Sequence, residues 1–126
     1  MTKNEIFERL DEFSKLDDNW DNNGADPINK QVIINTREIV NNLKNNPYFV
    51  APIPWGTIQL EWESNNYYIE IEIEIPENNK NIINVFILFD DNITDYNLTK
   101  KIEFEESEFE TIIALIDGLV EFFINK

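Results

Sequence analysis

The apolar residues of this chain change their period twice. Near the N-terminus they recur every three or four positions, as on one face of a helix. Ile6, Phe7, Leu10 and Phe13 follow a Thr2-x-x-Glu5 capping box, which predicts a first helix from about Thr2 to Leu16. Asp26-Pro27 reads as an N-cap and first helical residue. Ile28, Val32, Thr36, Ile39, Val40 and Leu43 then line a second helix, which the Asn45-Asn46-Pro47 breaker ends.

From residue 48 the period falls to two. Tyr48 to Trp55 is extended, and Pro52 and Pro54 confine it to an edge strand or an arm. Gly56 permits a turn. Ile58, Leu60 and Trp62 alternate with Gln59, Glu61 and Glu63. After a Ser64-Asn65-Asn66 hairpin turn, Tyr67, Ile69, Ile71, Ile73 and Ile75 alternate with Tyr68, Glu70, Glu72 and Glu74. A turn over Pro76 to Asn81 leads to Ile82–Phe89, an almost unbroken apolar run of the kind found in a central strand covered in part on both faces. Asp90 to Asn97 reads as a loop and Leu98 to Glu105 as a further strand, with Ile102 and Phe104 inward. Ser107 and Glu110 form a second capping box. Helical spacing then returns through Phe109, Ile112, Ile113, Ile116, Leu119, Val120 and Phe123.

The predicted fold is α+β: two N-terminal helices, a four- to five-stranded, mainly antiparallel sheet, and one C-terminal helix packed on it. Helices on one side of the sheet would bury every apolar stripe named above. The 126 residues make room for one domain, 1–126, around one core.

The sequence excludes most enzyme chemistry. With no His and no Cys, the commonest general base, the usual zinc and iron–sulfur ligands and any disulfide are missing. Ser14, Ser64 and Ser107 have no base beside them, and the three glycines are too scattered for a phosphate loop. Carboxylates two apart on a strand, Glu61/Glu63 or Glu70/Glu72, would stand roughly 6.7 Å apart. That is near the lower end of the spacing for inverting glycoside hydrolysis. They look solvated, however, and nothing in the sequence would raise the pKa of one of them. The expectation is a non-enzyme without a cofactor. The apolar runs are too short to span a membrane, and the N-terminus lacks the apolar stretch of a secretion signal, so the expected location is cytoplasmic. Asn92 and Asn97 head Asn-x-Thr triplets, which a cytoplasmic chain leaves unmodified.

The loop Asn19-Trp20-Asp21-Asn22-Asn23-Gly24 imitates the first half of a calcium-binding EF-hand, but position 12, which needs a bidentate Glu, is Lys30. No metal is expected there. The structural reading has Trp20 anchoring the loop and Asn23-Gly24 turning it. The run Asn19-Trp20-Asp21…Gly24-Ala25…Pro27, followed by Gly56-Thr57-Ile58-Gln59-Leu60-Glu61-Trp62, resembles a family of small bacterial proteins of unknown function. Their pattern is N-W-D-G-x-G-A-x-P and then G-x-I-x-L-E-W. The resemblance spans about residues 16 to 75 and departs from the pattern at Asn22, where the family has Gly. It implies a bacterial or phage source, and the family has no known activity to carry over. It marks Trp20, Asp21 and Gly24 of the loop, with Trp62, as a candidate site, beside the reading of a fold-defining loop packed on the sheet.

The net charge of −15, from 25 acidic and 10 basic residues, decides the class of partner. Such a charge repels nucleic acid and anionic membranes and favours basic protein surfaces, including those that bind nucleic acid. No Lys or Arg occurs from Asn45 to Asn79. If the two alternating strands pair, Glu61, Glu63, Glu70, Glu72 and Glu74 share one face, about 7 Å apart along each strand, the order of successive phosphates. Like charges opposite one another cost stability, so these five are the partner-binding candidates. The expected function is an acidic binding protein that occludes a basic partner surface as a nucleic-acid mimic, in an antitoxin, immunity or anti-defence (anti-CRISPR-like) role. The alternative is a small-ligand or peptide module with an aromatic pocket of Tyr48, Phe49, Trp55, Trp62 and Tyr67. The bland alternative to both is that the charge serves solubility alone.

Overall fold

Thr2 does cap the first helix. Its hydroxyl accepts from the Glu5 amide and the Glu5 carboxylate accepts from the Thr2 amide, so α1 spans Lys3–Phe13 and buries Ile6, Leu10 and Phe13. The computed structural model describes residues 1–90 and 95–125. In it α1 is followed by α2 (Lys30–Asn42), strands β1 (Phe49–Ile53), β2 (Thr57–Glu63), β3 (Tyr67–Ile73), β4 (Asn81–Asp90) and β5 (Asp95–Phe104), a short 3-10 turn (Glu106–Glu108) and α3 (Phe109–Phe123). The strands form one sheet in the order β1-β2-β3-β4-β5, every neighbouring pair antiparallel. Two N-terminal helices, a five-stranded antiparallel sheet and a C-terminal helix on that sheet make the fold α+β.

Period-2 alternation puts Ile58, Leu60 and Trp62 of β2, Ile69, Ile71 and Ile73 of β3, and Ile83, Val85 and Ile87 of β4 on one face. Ile6 and Leu10 of α1, Val32, Ile39 and Val40 of α2, and Ile112, Ile116 and Val120 of α3 close over that face as one core. Tyr67 stacks against Phe89 and against Phe123 of α3, with ring centroids 4.9 and 5.0 Å apart. Asp117, buried on α3, accepts hydrogen bonds from the backbone amides of Lys44 and Asn45 and from the Asn45 side chain. This ties the chain after α2 to α3 and satisfies a carboxylate that would be costly to bury alone.

Several boundaries differ from the sequence reading. The second helix is capped by Asn29, whose side chain accepts from the amides of Gln31 and Val32. Asp26 and Pro27 precede it because the Asp26 amide is drawn into a bond with the Pro54 carbonyl. At the last helix the box is Glu105 with Glu108, not Ser107 with Glu110, because a 3-10 turn comes first. β5 begins at Asp95, so part of the expected Asp90–Asn97 loop is strand; residues 91–94, and with them Asn92, lie outside those described. β4 has β3 and β5 as neighbours, and among the described residues the helices cover one of its faces. Its Phe86 and Leu88 lie half-buried on the other face and Ile82 is buried, in keeping with a central strand covered in part on both faces.

Candidate functional site on the open face of the sheet

The face of the sheet turned away from the helices carries the polar phase of the alternation. Strand register sets its rows. One row runs Phe49, Glu61, Glu70, Phe86, Thr99, the next Ala51, Gln59, Glu72, Asn84, Lys101, and a third Glu63, Tyr68, Leu88. All five predicted glutamates therefore share this face: Glu63 exposed, Glu61, Glu70, Glu72 and Glu74 half-buried. Their charge forms a stripe two strands wide. Phe49 borders it on one side, and Phe86 and Leu88 on the other.

Only Glu61 and Glu70 among these glutamates are direct cross-strand partners; Glu72 faces Gln59 and Glu63 faces Tyr68. The sheet thus avoids most of the like-charge opposition that sequence alone suggests. Neutral donors hold the stripe in place. Trp55 Nε1 and Thr57 Oγ1 donate to the same oxygen of Glu72, at 2.8 and 2.6 Å. The Asn84 side-chain amide donates to Glu74. The Tyr68 hydroxyl is within hydrogen-bond reach of Glu61 and lies 3.0 Å from Glu70 Oε1. A phenol has one hydrogen, so it donates fully to only one of these two carboxylates at a time.

Burial first, then the charges of Glu61 and Glu72, push the Glu70 carboxyl above its ordinary 4.5, against the opposing bond from Tyr68. Burial and then Glu72 raise that of Glu74, opposed by Lys101, which reaches this face from β5. That lysine is distant in sequence and adjacent in the sheet. Burial, the bond to Glu61 and the negative charge of Glu70 raise the Tyr68 hydroxyl.

At the β1 end of this face lies a cleft of about 430 Å³, lined by Tyr48, Phe49, Glu61, Trp62, Glu63 and Tyr68. The five aromatics of the alternative reading separate here. Trp62 is buried, its ring nitrogen donating to the Asn45 carbonyl, and Tyr67 packs into the core, whereas Tyr48, Phe49 and Trp55 are exposed. Sequence reasoning missed Tyr68, Trp55 and Thr57 as partners of the glutamates. The one available signal was that Tyr68 falls in the polar phase of its strand.

The loop candidates lie elsewhere and are occupied with their own backbone. Asp21 Oδ1 accepts from the amides of Asn23 and Ala25, Asn19 Oδ1 accepts from Gly24 at 2.7 Å, and Trp20 Nε1 donates to the Asp26 carbonyl. Asn19, Asn22 and Gly24 have positive φ, which suits Asn and Gly in a tight loop. The loop leads into a segment docked on the β1–β2 turn. Asp26 N donates to Pro54 O, Asn29 N donates to Gly56 O, and a Cβ on Gly56 would stand 3.1 Å from the Pro27 carbonyl. The two segments that carry the resemblance thus touch each other. This gives Gly56 and the loop a structural reason to occur together.

Among the described residues no group of His, Cys, Asp or Glu is arranged to hold a metal ion, and no helix is long and apolar enough to cross a membrane. Comparison with protein-family models, curated proteins and solved structures finds no match to this chain.

Proposed function

We propose that this chain is a non-catalytic, cytoplasmic binding protein whose open sheet face covers a basic surface on a partner protein, of the kind that otherwise binds nucleic acid. Inhibition by nucleic-acid mimicry, as in antitoxin, immunity or anti-defence proteins, is the role this chemistry serves. The observation that carries the reading is the preorganised carboxylate stripe. Glu61, Glu70, Glu72 and Glu74 are held by Tyr68, Trp55, Thr57 and Asn84 rather than by lysines or arginines of the same strands. Side chains fixed in this way lose less entropy on binding, and their charge stays available to a partner.

The test is a comparison of the native chain with a Glu70→Gln, Glu72→Gln, Glu74→Gln triple variant. Both are used to capture protein from the native host, and the captured protein is then titrated with each at two salt concentrations, with and without nucleic acid. Weaker binding by the variant, a flatter salt dependence and competition with nucleic acid are expected. Equal affinity of variant and native chain at both salts would remove this face as the interface.

A further inference from the structure

The cleft at the β1 end of the stripe differs from the rest of the face in having walls. Glu61 and Glu63, two apart on β2, supply carboxylates, and Phe49 and Tyr48 supply rings that are 46 % and 51 % exposed. Large aromatics left open to water beside carboxylates match a planar cation, which takes hydrogen bonds in its plane and stacks on a ring face. The volume of about 430 Å³ is within the usual range for a binding pocket. Among the described residues no Lys or Arg lines it. The protein itself shows what Phe49 accepts: the Arg9 guanidinium of α1 lies over that ring, 5.2 Å from its centroid.

We propose that this cleft receives one arginine side chain of the basic partner, its guanidinium between the carboxylates of Glu61 and Glu63 and against the Phe49 and Tyr48 rings. The proposal rests on the reading of the open face as a cation-binding surface and names its anchor. The Tyr68 hydroxyl, within hydrogen-bond reach of Glu61, lines the same cleft. Arginine is preferred to lysine because a planar fork can meet two carboxylates and a ring together, whereas an ammonium acts as a point charge.

The experiment uses the whole chain, 15N-labelled, at low salt. It is titrated with N-acetyl-arginine methylamide, with the lysine equivalent, and with deca-arginine. The arginine amide should shift, saturably, the backbone signals of Tyr48, Phe49, Glu61, Glu63 and Tyr68, and should do so at lower concentration than the lysine amide. Glu63→Gln and Phe49→Ala, both at exposed positions, should each weaken it on the order of tenfold or less with the melting temperature retained. Shifts spread evenly over the stripe, equal response to lysine, or no effect of Phe49→Ala would overturn the cleft while deca-arginine binding still upheld the face. Failure of deca-arginine to bind at all would overturn the face as well.

Discussion

Glu70→Gln isolates the electrostatic cost of the stripe. Glu70 is the direct cross-strand partner of Glu61, and Tyr68 lies between their carboxylates. Glu70 Oε1 is 3.0 Å from the hydroxyl oxygen and Glu61 Oε1 is no farther, so the two carboxylate oxygens stand at most twice that distance apart. Two unit charges about 6 Å apart repel by about 0.7 kcal/mol in water-like surroundings. This agrees with the range of about 0.2–1 kcal/mol for cross-strand pairs. A glutamine keeps an acceptor for Tyr68 and removes the charge. The variant should therefore gain about 0.5–1 kcal/mol near neutral pH, a rise in melting temperature of roughly 2–5 °C for a domain of this size. The gain should depend on pH. The Glu70 carboxyl is raised above 4.5 in the folded chain. The native protein therefore has its full stability from this group below the unfolded value and loses it as pH rises through the folded value. Melts of both proteins across that window and up to neutrality should show the curves converging in acid and separating as pH rises. A variant less stable than the native chain at pH 7, or a difference independent of pH, would refute the reasoning.

Trp62→Ala removes a fully buried ring and its bond to the Asn45 carbonyl, and should cost on the order of 3–5 kcal/mol in urea denaturation. An unchanged midpoint would mean that the ring is not packed in the core. Millimolar calcium should leave the melting temperature unchanged, because Asp21 and Asn19 already accept from loop amides; a clear rise that Asp21→Ala abolishes would overturn the structural reading of this loop. Gly56→Ala and Gly118→Ala should differ in sign. The first puts a Cβ at positive φ and 3.1 Å from a carbonyl oxygen, and should lose about 1–2 kcal/mol. The second meets nothing within 4 Å in the middle of α3, and should gain roughly 0.5–1 kcal/mol by thermal melt.

Period carried the fold. β2 (Thr57–Glu63) contains the whole run Ile58 to Glu63 read from the sequence, because those positions alternate without exception between flanking turns. The Thr2 capping box likewise marked the start of α1. The boundaries that moved are those where a long-range bond outweighs a local preference. Asp26-Pro27 has the chemistry of a helix start, yet the Asp26 amide bonds to Pro54, 28 positions later in the sequence, and Asn29 becomes the cap. The order of the sheet was not legible, because a meander and a crossed order present the same alternation to a reader of one strand at a time.

The acidic face shows the same division between what a strand reveals alone and what its neighbours decide. Alternation alone places Glu70, Glu72 and Glu74 together, and the hairpin adds Glu61 and Glu63. Register decides what each glutamate faces: Gln59 against Glu72, Tyr68 against Glu63, and a second carboxylate only at Glu61/Glu70. Trp55, Thr57, Asn84 and Lys101 reach the stripe from other segments, and nothing in a strand's own pattern announces them. The distinction bears on mechanism. A solubilising surface needs charge in any arrangement, and free glutamates on mobile side chains serve it well. Here, neutral donors from the β1–β2 turn (Trp55), β2 (Thr57), β3 (Tyr68) and β4 (Asn84) hold the carboxylates of Glu61, Glu70, Glu72 and Glu74, and Phe49, Phe86 and Leu88 flank them. Fixing side chains on a surface costs entropy, and a partner that meets them already ordered recovers that cost as affinity. The ordering, more than the net charge, is what favours recognition over solubility.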